Sequence, residues 1–184
     1  MTEKQSAAGL RAKLIDAAIR LLDEEGEAAL TLRMLARETG VSAMAPYRHF
    51  ADKAALLRAV AEAGFAALTK ALEEADRTAD ARSALIAQGM TYYRFAQGRP
   101  ALFRLMFAGR ALCEPPSRED ADAFAVLLRR VSGMAKGDPG VAALAAWSAV
   151  HGLATLALDG RIKADEEQAR AALALVADGI VAGG

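Results

Sequence analysis

The sequence predicts an all-α protein, and three observations carry the prediction. Alanine and leucine dominate while β-branched and aromatic residues are sparse, a composition that suits helices better than pleated sheets. Apolar residues recur at intervals of three and four along most of the chain, and no segment sustains the alternation of a half-buried strand. Between these stripes lie glycine, proline and capping residues, as in Gly98-Arg99-Pro100, Gly137-Asp138-Pro139 and Asp159-Gly160. With hydrophobic residues at 54% of 184, the chain has material for the buried core of one large domain or two small ones.

Each element has its own local signal. Leu10, Leu14, Ala18, Leu21 and Leu22 make the stripe of a first helix, which stops at Gly26. Thr31 offers a hydroxyl to the orphan N–H groups of a second helix, whose face is Leu32, Leu35 and Ala36. Gly40 ends it in a left-handed turn, Val41 plugs that turn, and Ser42 is placed to cap a third helix from about Ala43 to Phe50. This third helix is too short to hold itself in water, so packing must hold it, with Phe50 turned inward. Pro46 lies inside it, lacks an N–H and crowds the preceding turn, so an irregular start is expected.

Asp52 then caps a long helix running through Leu56, Leu57, Val60, Leu68 and Leu72 to the polar run Glu73 to Asp80. Leu85, Ile86, Met90, Tyr93 and Phe95 mark the next helix, and Pro100 opens a short one over Ala101 to Ala108 that is apolar nearly all round and expected to be buried. Ser117 and Asp120 read as a capping pair for a helix through Phe124, Leu127, Leu128 and Val131. Asp138 and Pro139 launch an uncharged helix to Leu158, and Leu173, Val176 and Ile180 line the last one. The total is about nine helices without an internal repeat.

Pro139 to Leu158 carries no Lys, Arg, Asp or Glu and is long enough to span a bilayer. Much of it is alanine and glycine, it holds Ser148, His151 and Thr155, and Asp138 and Asp159 bracket it. A buried helix packed on others is therefore expected, and no membrane association. The amino terminus has no apolar run of the kind a signal peptide needs. Cys113 is the only cysteine, which excludes an intrachain disulfide and offers no cluster for a structural metal. No cofactor is expected, and a reducing cytoplasm fits. Cys113 itself reads either as an ordinary loop residue or as a redox sensor.

Function is concentrated between Thr31 and Lys53. Tyr47, Arg48, His49 and Lys53 bring a hydroxyl, a guanidinium, an imidazole and an ammonium into one short stretch, a set suited to phosphate oxygens. Formal net charge is zero, so any basic footprint must be local, and Arg33, Arg37, Arg48, Lys53 and Arg58 supply one.

G-V-S from Gly40, Y-R-H-F from Tyr47, D-K at Asp52-Lys53 and the pair Leu56-Leu57 together resemble the DNA-binding domain of TetR-family transcriptional regulators, from about Leu10 to Leu72. The resemblance implies that Thr31, Tyr47, His49 and Lys53 grip the DNA backbone. It implies that Arg33, Ser42, Ala43, Met44, Ala45 and Arg48 face bases or nearby phosphates. Ala43, Met44 and Ala45 have no bidentate hydrogen-bonding capacity but suit thymine methyl groups, which leaves Arg33 and Arg48 as readers of guanine and gives DNA shape a larger part.

In the second half, Trp147, His151 and Gly152 form W-x-x-x-H-G, and spacing of four sets the two rings on one helical face. This signature, with the segment Tyr92 to Phe107, resembles the carboxyl-terminal domain of a subset of TetR-like regulators. The implied role is dimerisation through the last two helices and reception of a small molecule in a helical pocket. Met90, Tyr93, Phe103, Arg104, Phe107, Trp147 and His151 are the candidate lining, with Arg104 implying an anionic ligand should it point inward. His151 also reads as a core residue with a hydrogen-bond partner.

The expected organisation is a DNA-binding head over 1–52 with its helix-turn-helix at about 31–50, a connecting helix over 53–76, and a helical regulatory and dimerisation domain over 77–184. The expected protein is a cytoplasmic homodimeric regulator, a repressor, that binds palindromic double-stranded operator DNA and is released by a small-molecule effector. Two alternatives stand beside it: a helical interaction module without operator binding, and a small helical enzyme using His151 as base. The enzyme is disfavoured because no nucleophile or metal cluster converges on that histidine.

Overall fold

A computed structural model of the chain describes residues 3–77, 80–108 and 118–183. All regular structure among them is helical: α1 Glu3–Glu25, α2 Leu32–Thr39, a 3-10 turn Pro46–Arg48, α3 Lys53–Ala75, α4 Ala81–Gly98, α5 Pro100–Ala108, α6 Arg118–Ser132, α7 Pro139–Leu158 and α8 Glu166–Ala182. Eight α-helices and one 3-10 turn thus replace the expected nine helices. The proposed cap Ser117 and the loop cysteine Cys113 lie outside the described residues.

Local chemistry sets most of the boundaries. Asp52 Oδ1 accepts the Ala55 N–H at 2.7 Å and starts α3, and Asp138 accepts from Gly140 and Val141 ahead of Pro139 to start α7. Asp165 and Gln168 form a reciprocal capping box on α8.

Two compact units result. The first comprises residues 3–64 and 99–108, the second residues 65–98 and 118–183. This differs from the expected division at 52 and 76: α3 is shared between the units, and α5 belongs to the first rather than to the carboxyl-terminal half. The reason is packing. Leu102, Phe103 and Met106 of α5 are buried, and the Asp23 carboxylate at the end of α1 faces Arg99 and the Leu102 N–H where α5 begins. The expected burial of α5 is met on one side of the helix, and Arg104, the charge that interrupts its apolar run, is exposed.

In the first unit, α1 contributes Leu14, Ala18, Leu21 and Leu22 to a core completed by Leu35, Phe50, Leu56 and Val60. Arg11 lies over the Phe50 ring, 5.5 Å from its centroid. In the second unit α4 is central and packs against α6, α7 and α8. Gly89 permits the close approach of α4 and α8, because a Cβ there would stand 3.0 Å from Leu173 Cδ1. The uncharged α7 is not wrapped on all sides: Ala143, Ala146, Val150 and Ala154 are buried, while Val141, Leu144 and Leu156 are exposed. The expectation of a buried helix therefore holds for one face only within the chain.

Candidate nucleic-acid interface and ligand cavity

The turn between α2 and the 3-10 segment is built by its backbone bonds. Thr31 Oγ1 accepts the Met34 N–H at 3.1 Å and caps the start of α2. At its other end Gly40 sits at φ 68°, in the left-handed region. Its N–H donates to Arg37 O, and the Val41 N–H donates to Ala36 O at 3.0 Å, the paired bonds of a Schellman turn. Thr39 is buried and donates its hydroxyl back to Leu35 O at 2.7 Å. The chain therefore leaves α2 in one fixed direction.

The segment beyond this turn is not the regular helix expected over 43–50. The Ala45 N–H donates to Ser42 O at 2.9 Å, the Arg48 N–H to Ala45 O at 3.2 Å and the His49 N–H to Pro46 O at 3.0 Å, all three-residue steps. Pro46 explains it: it has no N–H to send to Ser42 O, so the α-helical bond at that place cannot form. Ser42 enters the turn through its carbonyl, and no side chain caps the 3-10 segment. Pro46 and Phe50 are buried, and these two anchor the segment.

The side chains are thereby sorted. Tyr47 is 41% and Met44 is 64% exposed; Arg33, Ser42, Ala43 and Arg48 are exposed, while Ala45, His49 and Lys53 are half-buried. An exposed methionine at the tip of a turn has no role in the core. Lys53 Nζ donates to Glu27 O at 2.7 Å, which steers the ammonium of α3 and leaves two of its three N–H bonds for another acceptor. All ten candidate DNA-contacting residues belong to the first unit.

The seven candidate pocket residues are divided between the two units. Phe103, Arg104 and Phe107 are in the first unit, with the two phenylalanine rings 4.8 Å apart. Met90, Tyr93, Trp147 and His151 are in the second. There, six apolar side chains, Leu72, Leu85, Leu127, Val150, Leu173 and Val176, surround a cavity of about 40 Å³, together with Ala146, Gly89, Trp147, Gln88 and Tyr92. Of the candidates only Trp147 lines it. Tyr93 is buried and donates its hydroxyl to Ala164 O at 2.9 Å, and Met90 is core packing.

His151 stands one step behind the cavity wall. Its Nδ1 is 2.8 Å from the hydroxyl of Tyr92, a residue 2% exposed. Burial pushes the Tyr92 phenol up and the His151 imidazole down from their ordinary values, so at neutral pH the hydrogen-bonded pair is uncharged. Edge-on ring contacts join Tyr92 to Trp147 at 5.6 Å and Trp147 to Phe124 at 5.7 Å.

Sequence reading missed the polar cluster beside this cavity. Gln88, only 3% exposed, donates through Nε2 to Asp76 Oδ1 at 2.7 Å. The same carboxylate oxygen receives Arg130 Nε at 2.5 Å, and Arg130 also donates to Asp76 O at 2.9 Å. One signal was present: Gln88 interrupts the apolar stripe Leu85, Tyr92, Ala96 of α4 at a core position. Asp76 gave none, because it lies in a run of polar residues that reads as solvated.

The fold and the exposed turn define a class, all-helical proteins that carry a helix-turn-helix. Residues 14–60 match the bacterial regulatory protein tetR family and residues 85–179 match the tetracyclin repressor-like carboxyl-terminal domain. The chain belongs to the TetR family of bacterial regulatory proteins. An uncharacterized HTH-type transcriptional regulator from Haemophilus influenzae is 35% identical over 99 residues, and the match spans 52% of this chain and about half, 48%, of that protein. Among solved structures, a protein of unknown function from Rhodococcus sp. RHA1 is 35% identical, with a TM-score of 0.80 over 94% of this chain and 95% of its own. A TetR transcriptional regulator from Streptomyces coelicolor is 26% identical, with a TM-score of 0.74 over 94% and 98%.

Proposed function

We propose that the protein is a cytoplasmic, homodimeric repressor that holds a roughly palindromic duplex through two copies of the segment Thr31 to Lys53 and is released by a small molecule bound in its second unit. The observation that carries the DNA part is the Schellman turn at Gly40, which aims an exposed Tyr47 and Arg48 and a tethered Lys53 from a rigid base. In such a dimer the two reading segments stand about 34 to 36 Å apart, one turn of duplex. Thr31, Tyr47, His49 and Lys53 grip phosphates, while Arg33, Ser42, Ala43, Met44, Ala45 and Arg48 lie along the base edges.

The apolar faces left on the last two helices support self-association. Val141 and Leu144 of α7 and Leu175 of α8 are between 61% and 74% exposed, and α7 packs against α8, so a second copy covering both helices removes one continuous apolar surface from water. A sedimentation measurement giving a monomer at micromolar concentration overturns the dimer.

Operator binding is tested by selecting bound duplexes from the source genome and titrating the best against salt. Affinity is expected to fall steeply with ionic strength, and Lys53→Ala is expected to weaken binding and to shallow the log–log salt slope by roughly one unit per protomer contact. Indifference to every duplex in dilute buffer overturns the proposal.

A further inference from the structure

The cavity of the second unit carries a statement about ligand class that neither the family nor the fold supplies. Its wall is apolar except at Gln88, Tyr92 and the indole N–H of Trp147. The Tyr92 hydroxyl is engaged with His151. Gln88 spends one amide N–H on Asp76, and because a carboxylate only accepts, this bond fixes which end of the amide is nitrogen. The carbonyl oxygen of Gln88 is therefore the end of the amide not engaged with Asp76, and it has no donor among the described residues.

Charge is balanced next to this oxygen. The Asp76 carboxylate is paired with the Arg130 guanidinium at 2.5 Å, and Arg104, the cation that sequence offered for an anionic ligand, is an exposed residue of the first unit. Nothing in the wall compensates a buried ligand charge, and an uncompensated charge in such a place is strongly unfavourable. An acceptor without a donor in an apolar wall calls for the opposite partner: an uncharged body with one O–H or N–H.

We propose that this cavity binds a small neutral molecule, largely apolar, whose single hydroxyl or N–H donates to the Gln88 carbonyl oxygen. The inference rests on the reading of the second unit as the ligand-receiving part. A space of about 40 Å³ has room for about three waters, so the occupant is compact, of the size of a short or cyclic alcohol, and a larger one must displace the wall. Gln88 sets specificity, and Asp76 with Arg130 are positioning residues that hold its amide in the donor-accepting orientation.

Trp147 makes the test direct, since it lines the cavity and is the only tryptophan of the chain. The full-length protein is titrated with cyclopentanol, with cyclopentanone, which matches its shape but cannot donate, and with cyclopentanecarboxylate, while Trp147 emission is followed. Cyclopentanol is expected to bind roughly three- to tenfold more tightly than cyclopentanone, the range of one neutral hydrogen bond, and the carboxylate is expected not to bind. In Gln88→Leu the preference for the alcohol is expected to vanish. Ala146→Leu leaves the Gln88 to Asp76 bond in place, fills the space, and is expected to abolish the response to both compounds.

Equal affinity for alcohol and ketone, a preference that survives Gln88→Leu, tighter binding of the carboxylate, or no response of Trp147 to any of the three overturns the proposal. Binding of selected duplex by the ligand-free protein is measured in parallel. Its failure sinks the regulator reading and leaves the cavity result standing, so the two failures are distinguishable.

Discussion

The two units keep their polar groups in opposite places. In the first, the side chains that matter point outward from a turn whose shape is set within the sixteen residues Thr31 to Pro46, by one hydroxyl cap, one left-handed glycine and one proline. In the second, the informative polar groups are buried or half-buried, and their partners lie 12 to 59 positions away in the chain: Asp76 with Gln88 and Arg130, Tyr92 with His151. A surface that reads DNA must exchange its water for phosphate oxygens, so its donors stay accessible. A cavity that selects by one hydrogen bond must offer few competing polar groups, so its acceptor is set in an apolar wall and the neighbouring charges are neutralised.

The largest effect that sharpens this contrast is expected at Asp76. Asp76→Ala leaves Arg130 without its carboxylate and Gln88 without its acceptor, in a pair whose side chains are only 20 to 21% exposed. Loss of about 2 kcal/mol or more is expected in chemical denaturation, with DNA affinity unchanged once the protein is held in folding conditions. Gly40→Val is expected to do the reverse. Open space surrounds the Cβ position, so the cost is backbone strain of about 1 to 2 kcal/mol at φ 68°, while the turn is redirected and duplex binding falls by far more than stability does. If both variants lose stability and affinity in the same proportion, the separation between the units fails.

A smaller effect is expected from pH. The folded His151 titrates below its ordinary value of 6.5 because it is buried. Above pH 6.5 neither the folded nor the unfolded state is charged there, and the contribution is constant. As pH falls through 6.5 the unfolded chain takes the proton first, so stability is lost toward the lower folded value. His151→Asn is expected to flatten the melting profile in that window, measured against wild type. The smallest effect is expected at the surface: Arg82→Ala breaks an exposed pair with Asp178 and is expected to leave the melting temperature unchanged.

How well sequence anticipated each region is explained by the same contrast. Thr31, Gly40, Asp52, Asp138 and Pro139 act on backbone within three or four residues, and each acts in the structure as its chemistry predicts. The Pro46 irregularity was also readable, since a missing N–H is local, though its extent was not: the segment holds a 3-10 turn over Pro46–Arg48 between ordinary turns, and no regular α-helix. Phe103, Arg104 and Phe107 were grouped with Trp147 because both stretches are apolar, and apolar character does not say which core a helix joins. Gln88 was visible only as an interruption in a stripe.

Family membership, the helical class, the caps at Thr31, Asp52 and Asp138 and the phosphate-suited cluster were therefore determined by sequence alone, because each is written in residue types at short spacing. The assignment of α5 to the first unit, the burial of one face only of α7, and the convergence of Gln88, Asp76 and Arg130 were decided by tertiary structure. The physical reason is that a stripe of leucines and alanines specifies that a helix must bury a face but not against which partner. Whether a polar side chain is solvated or enclosed depends on neighbours that are as far as 71 positions distant in the chain.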